Sequence, residues 1–211
     1  MKKTTRIIIQ VILGIISIVL AFLLFESIMA PVRFEKERGI REKVVVQRLK
    51  DIRTVQLAHK TSFGRYINDI DSLILFLENG HLPMVKKIGN VPDTLTEAQA
   101  LKLKIISRDT IYEIAYKVLF PTHTDKEKHL ASLKYIPFTN KEEKITMSAG
   151  FIEKSGYKIP VFEVKMPYTS YLRGLDNQQI MNLASRANDL NRYPGIKVGS
   201  MEEAITEGNW E

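Results

Sequence analysis

The chain has 211 residues, with 31 Lys and Arg against 24 Asp and Glu, and a formal net charge of +7. Its 45% hydrophobic content excludes an intrinsically disordered chain, and its lack of Cys excludes a disulfide-stabilised scaffold. Residues 1–60 contain 12 basic and 5 acidic residues, whereas residues 61–211 contain 19 of each. The positive excess therefore lies beside the one long apolar run, and this location argues against a nucleic-acid-binding protein.

That apolar run, residues 7–25, contains no charged side chain. At about 1.5 Å per residue a helix of this length matches the hydrocarbon core of a bilayer. A cleaved signal peptide would have a shorter apolar region and a small-x-small cleavage site, which Glu-Ser-Ile-Met-Ala at residues 26–30 matches poorly. The sequence thus predicts an uncleaved single-pass anchor, and one such run excludes a multi-span membrane protein.

The orientation of the anchor depends on two basic flanks. Lys2, Lys3 and Arg6 precede the span, and a larger group mixed with acids follows it. The raw count favours a cytoplasmic C-terminal side, but a short basic tail tends to stay inside while a long domain crosses regardless of its charge. We expect residues 1–6 to form a cytoplasmic tail, the span to lie in the inner membrane, and the C-terminal domain to be periplasmic in a Gram-negative host.

The basic group after the span has three interpretations. It is a solvated helix face, a set of contacts with anionic lipid headgroups, or part of a seam for a partner helix. The candidate headgroup contacts are Arg33, Arg38, Arg41 and Lys43.

Residues 26–62 are predicted to form a membrane-proximal amphipathic helix, with a break at Pro31. Four side chains follow at i, i+4, i+7 and i+11 and form one stripe: Val45, Leu49, Ile52 and Gln56. The stripe packs either on the chain's own sheet or against a partner helix. Because it spans fewer than three heptads, we favour the chain's own sheet.

The remaining pattern predicts one α+β domain over residues 63–211, with its helices segregated from antiparallel strands. The predicted elements, in chain order, are a Gly64 helix end, a helix at 70–77, a loop at 89–93, a helix start at 97, a strand at 110–120, a loop at 122–130, a hairpin of strands 144–153 and 157–166, a helix within 172–191, and turns at 193–199. In the second hairpin strand, Glu163 and Lys165 alternate with apolar residues, which predicts one wet face.

This layout resembles type IV pilins and type II secretion pseudopilins, and the resemblance is sharpest over residues 51–80. There an Arg-Thr-Val-Gln stretch precedes Phe63-Gly64-Arg65-Tyr66 and Leu73, similar to the helix-end signature of pseudopilins. The resemblance implies a helix that continues from the membrane and packs on an antiparallel sheet. The chain departs from the pilin pattern because residues 3–7 contain no Gly of a prepilin-peptidase site, and residues 7–25 contain no Glu. Segments at 162–164, 193–195 and 208–211 also resemble a family of uncharacterised single-span envelope proteins from Bacteroidota.

The sequence contains no Gly-x-Ser-x-Gly, Walker-type or His-Glu-x-x-His motif, so we predict neither an enzyme nor a cofactor. The densest group of potential metal ligands is His123, Asp125, Glu127 and His129, with Lys126 and Lys128 between them. A solvated loop explains this segment better than a metal site does.

Two functions fit these features. The first is a structural or assembly component of an envelope machine, which contacts membrane lipid and either envelope proteins or further copies of itself. The alternative is a membrane-anchored domain that binds a solute or glycan on an exposed aromatic surface formed by Tyr168, Tyr171 and Trp210. Such aromatics more often cover sheet edges.

Overall fold

The computed structural model describes residues 3–88 and 107–211, together with Thr96, Gln99 and Leu103. The helices are α1 (Lys3–Phe63), α2 (Ile70–Asn79), α3 (Ala115–Leu119), α4 (Lys126–Lys134), α5 (Tyr168–Tyr171) and α6 (Asn177–Asp189). The strands are β1 (His81–Ile88), β2 (Ser107–Ile114), β3 (Thr146–Lys154), β4 (Tyr157–Pro167) and β5 (Gly195–Gly199). The predicted class is confirmed, because the protein is α+β with a long N-terminal helix and antiparallel strands.

Helix α1 is continuous over 61 residues, which at 1.5 Å per residue corresponds to about 90 Å. The predicted break at Pro31 is wrong, because the proline lies inside the helix. A proline removes one backbone hydrogen bond from a helix, and the turns on either side continue through that local loss. The predicted end is confirmed: Gly64 has φ of +72°, and its N–H donates to the Lys60 carbonyl at 2.8 Å.

Strands β3, β4 and β5 form an antiparallel sheet in that order. The predicted hairpin is confirmed, and its two-residue turn has positive φ at both Ser155 (53°) and Gly156 (79°), as a type I′ turn requires. The prediction of turns alone at 193–199 is wrong, because Gly195–Gly199 pairs with β4 as strand β5. Five residues bounded by glycines are too few to show strand alternation in the sequence.

Strands β1 and β2 form a separate two-stranded antiparallel sheet. Strand β1 was not predicted, and the predicted strand at 110–120 is wrong in its second half, where the chain enters α3 at Ala115. Ala115 and Tyr116 are both buried, so tertiary packing outweighs the β-propensity of this segment. The predicted loop at 89–93 lies outside the described residues, as does most of the predicted helix start at 97.

Helix α4 replaces the loop predicted at 122–130, and that prediction is therefore wrong. Asp125 is the N-cap, and its carboxylate accepts a hydrogen bond from the Lys128 backbone N–H at 3.0 Å. Leu130 and Leu133 enter the core from this short helix. Packing of these two leucines stabilises a segment whose polar composition favours a loop.

The core lies between α1 and the inner face of β4, where Phe162, Val164 and Met166 are fully buried. The opposite face of β4, which was predicted to face solvent, is only partly exposed. Glu163 is 8% exposed, and its carboxylate contacts the ammonium groups of Lys165 at 2.6 Å and Lys197 at 2.8 Å. Burial opposes ionisation, but these two hydrogen-bonded lysines outweigh it, and the pKa of Glu163 lies below its ordinary value.

Candidate functional site

The N-terminal part of α1 exposes an apolar surface that the rest of the described chain does not cover. Large side chains from Val11 to Phe25 are 49–71% exposed, and the exposed apolar surface continues through Ile28 and Val32. Among the described residues, this is the one helix long and apolar enough to cross a membrane, with a mean hydropathy of 2.7 in its most apolar window. The helix is compatible with a single-pass anchor.

The basic residues after this surface divide into exposed and engaged side chains. Arg33 forms an exposed ion pair with Glu26, and Lys43 is also exposed. The Arg38 side chain is instead only 23% exposed, and its guanidinium lies 2.8 Å from the Glu42 carboxylate. Of the four candidate headgroup contacts, Arg33 and Lys43 thus keep exposed side chains above the apolar surface.

Arg41, the fourth candidate, joins α1 to the globular part of the chain. Its guanidinium donates to the Tyr171 carbonyl at 3.2 Å and the Arg173 carbonyl at 2.9 Å. It also lies 4.9 Å from the centroid of the Phe138 ring. The Arg41 side chain is 15% exposed, and its guanidinium also pairs with Glu37 at 3.2 Å. The guanidinium that was predicted to contact lipid headgroups is therefore bonded within the protein.

Tyr171 was predicted to be part of an exposed aromatic surface, and that prediction is wrong for this residue. The Tyr171 side chain is fully buried, and its hydroxyl donates to the Glu42 carboxylate at 3.3 Å. Burial, followed by the nearby Glu42 charge, raises the pKa of Tyr171 far above its ordinary value. Tyr168 is half-buried, with its ring centroid 5.9 Å from that of Tyr171.

Trp210 does not join these tyrosines into one platform. It is half-buried, packs against the core and lies over Gly208, where a Cβ atom would collide with its ring. Among the described residues, its ring has no aromatic contact with either tyrosine. Tyr168 instead lines a cavity of about 620 Å³ with Tyr193.

The apolar stripe of α1 lies inside the domain. Val45, Leu49, Ile52 and Gln56 are all 0% exposed. The Gln56 side-chain amide donates to the Ile67 carbonyl at 2.7 Å, and its oxygen accepts from the Ile67 N–H at 2.8 Å. The stripe therefore packs on the chain's own domain and is covered there, so it does not present a seam to a partner helix.

The histidine segment forms a cluster at the start of α4. His129 is 9% exposed, and its ring stacks on that of His123 with centroids 4.0 Å apart. Its Nδ1 lies 3.2 Å from the Tyr116 hydroxyl, while Nε2 lies 3.6 Å from Asp51 Oδ2, beyond hydrogen-bond distance. Burial and then the neighbouring His123 lower the pKa of His129, against the opposing attraction of Asp51.

No three of the His, Asp or Glu side chains described here are arranged to hold a metal ion. Of the other two potential ligands in this segment, Asp125 caps α4 and Glu127 lies in its exposed first turn. The rings of His123 and His129 stack face to face and pack against each other.

A feature that the sequence did not indicate is a groove of about 540 Å³ between α1, α4 and residues 135–141. We call it the cationic groove. Its apolar wall includes Val44 and Phe138, and its three charged side chains are Arg48, Lys128 and Lys141. These cations come from three separate segments, so no local sequence pattern joins them.

A scan against protein-family models, a search of curated proteins and a search of solved structures each returned no match.

Proposed function

We propose that this protein is a non-enzymatic, single-pass structural or assembly component of a cell-envelope machine, similar in layout to pilins and pseudopilins. The observation that carries the proposal is the continuity of α1. One helix presents an exposed apolar surface through Val32 and then buries Val45, Leu49 and Ile52 in the domain. The anchor and a part of the domain core thus belong to a single continuous helix.

A helix shared in this way has a mechanical consequence. A flexible linker would let the domain move independently of its anchor, whereas α1 transmits the position and tilt of the span directly to the domain. Arg41 reinforces the joint through its bonds to the Tyr171 and Arg173 carbonyls. Such coupling suits a component whose domain must stand in a fixed orientation above the membrane.

The proposal includes the inner membrane and a periplasmic domain. Its support is the short basic tail before the span, which tends to remain cytoplasmic. The alternative function, an aromatic surface for a solute or glycan, loses one of its three side chains because Tyr171 is buried. We therefore favour a structural role.

Cysteine accessibility tests the topology cleanly because the sequence contains no Cys. A Cys at Lys158, which is exposed beside the β3–β4 turn, should react with a membrane-impermeant maleimide once the outer membrane alone is opened. A Cys at Thr4 should react only after the inner membrane is lysed. The opposite pattern would place the domain in the cytoplasm.

Crosslinking in intact cells tests the structural role. A photo-reactive residue at Lys50, on the exposed side of α1, should yield a discrete adduct with an envelope protein or a second copy. The same residue at Lys158, at the far end of the β3–β4 hairpin, is the matched control. Recovery of the protein only as an uncrosslinked monomer from both sites, and from a further scan of α1, would contradict the proposal.

A further inference from the structure

The side chains that line the cationic groove include three cations and no carboxylate, and the nearby Asp51, which interacts with Arg48, lies outside the lining. Arg48 donates to the Tyr135 carbonyl at 3.0 Å, and Lys128 and Lys141 lie on the same rim. None of the described residues that line the groove is acidic, and none of the three cations forms an ion pair with a described residue. The groove therefore suits an occupant that carries both carboxylates and an apolar side chain.

The rim of the groove is held in an unusual backbone conformation. Phe138, Asn140 and Lys141 have positive φ values of 67°, 52° and 65°. A non-glycine residue in this region costs about 1 kcal/mol or more and persists only where its surroundings impose it. Here the buried Thr139 hydroxyl donates to the Ile136 carbonyl at 2.7 Å and fixes the loop. As a result Phe138 remains 43% exposed beside the cations.

A segment elsewhere on the same chain has the complementary chemistry. Glu202, Glu203 and Glu207 are exposed, Ile205 between them is 40% exposed, and no described residue forms an ion pair with the three carboxylates. The buried Ser200 hydroxyl accepts hydrogen bonds from the Glu202 and Glu203 N–H groups at 3.1 and 3.3 Å. We call residues 202–207 the acidic segment.

These two surfaces lie on different flanks of α1. Val44 and Arg48 face the cationic groove, while the Arg53 guanidinium lies 3.5 Å from the Thr206 carbonyl in the acidic segment. At 100° per residue, Arg53 projects about 140° from Arg48 and about 180° from Val44. One copy cannot join its own two surfaces across the helix, but two neighbouring copies can.

The two surfaces lie at different heights along α1. The groove contacts α1 at Val44 and Arg48, and the acidic segment contacts it at Arg53, which is about 8–14 Å farther along the helix. If two copies share a membrane, contact between the groove of one copy and the acidic segment of the next therefore requires a tilt or an offset of this size between them.

We propose that the acidic segment of one copy binds in the cationic groove of a second copy, so that copies associate head to tail along the membrane. This inference deepens the proposed structural role and rests on it, since it names the partner as the same protein. Such an interface is heterologous, so a pair retains a free acidic segment on one copy and a free groove on the other, and the association continues beyond a dimer.

Paired cysteines in the full-length protein test the contact in native membranes. Two differently tagged copies are co-expressed, one with Lys141→Cys and the other with Glu203→Cys, and mild oxidation follows. We expect a mixed disulfide dimer several-fold more abundant than with Lys158→Cys, which is exposed beside the β3–β4 turn, in place of Lys141→Cys. Each variant expressed alone should give little dimer, because a heterologous contact brings unlike positions together.

Charge reversal supplies the second test. Lys128→Glu should lower the yield of mixed dimer about tenfold, which corresponds to about 1.4 kcal/mol, and Glu207→Lys in the other copy should restore it. Both positions are exposed, and the thermal unfolding of each variant in detergent verifies that the domain folds.

Several outcomes would overturn the inference. They are a mixed-dimer yield equal to that of the Lys158 control, a dimer of Glu203→Cys with itself of equal yield, or no response to charge reversal. Disulfide formation between Lys141→Cys and a different protein would also overturn it, but the proposed structural role would stand. The Lys50 photo-crosslinking experiment above tests that role separately.

Discussion

Replacement of Gln56 by Leu tests the role of the one polar member of the α1 stripe. The side chain is 0% exposed and satisfies both backbone groups of Ile67, at 2.7 Å for the carbonyl and 2.8 Å for the N–H. Leu has a similar volume and no hydrogen-bonding group. The substitution therefore leaves a donor and an acceptor of Ile67 unsatisfied in a residue that is 7% exposed.

Each orphaned buried group costs about 1–3 kcal/mol, and the greater burial of apolar surface by Leu offsets part of the sum. We expect Gln56→Leu to reduce the free energy of unfolding by about 2–4 kcal/mol. For a domain of this size each kcal/mol corresponds to about 2–4 °C, so Tm should fall by roughly 4–16 °C. Circular dichroism of the full-length protein in detergent micelles measures the shift.

Gln47→Leu is the matched control, because Gln47 lies on the exposed side of the same helix. Its amide donates to Asp51 at 2.9 Å, an i,i+4 pair worth only about 0.2–0.5 kcal/mol. If Gln56→Leu lowered Tm no more than Gln47→Leu does, the two bonds to Ile67 would not stabilise the fold and the reasoning would fail.

Three further substitutions are predicted to affect stability. Because the pKa of His129 is lowered in the folded protein, the unfolded chain gains a proton first as pH falls below about 6.5, and stability declines by at most about 1.4 kcal/mol per pH unit. Unfolding of wild type and His129→Gln between pH 7.5 and 5.5 should show a shallower decline in the variant, and parallel declines would refute this. Gly199→Ala should lower the free energy of unfolding by about 3 kcal/mol or more, because φ is +74° and a Cβ would collide with the Phe162 carbonyl. Gly174→Ala, at φ +85° in open space, should lower it by only about 1–2 kcal/mol. Chemical denaturation of both variants measures the difference, and equal losses would contradict the predicted collision.

Elements specified by local chemistry were the predictable part of the fold. The end of α1 follows from a glycine that adopts a left-handed conformation at Gly64, and the β3–β4 hairpin follows from two such positions, Ser155 and Gly156. The stripe in α1 needed only a helical period to be recognised, and its burial confirms that it packs on the chain's own domain.

Elements specified by tertiary contacts were not predictable. Strand β5 exists because β4 offers it an edge, and α4 because its leucines reach a core built by distant residues. Tyr171 is also buried among residues distant in sequence, and its hydroxyl donates to Glu42, which lies 129 positions earlier. The cationic groove joins Arg48, Lys128 and Lys141, and only the fold brings these three together.

The continuity of α1 also affects the energetics of the proposed contact between copies. Association in solution loses translational and rotational freedom at a cost of several kcal/mol. Copies held in one membrane by a continuous helix have already lost much of that freedom, so a modest set of charge pairs and one apolar side chain is sufficient. A truncated protein that begins after Val32 should therefore associate far more weakly than the anchored protein, even with both surfaces intact. Equal association of the two forms in a crosslinking titration would show that the anchor does not contribute.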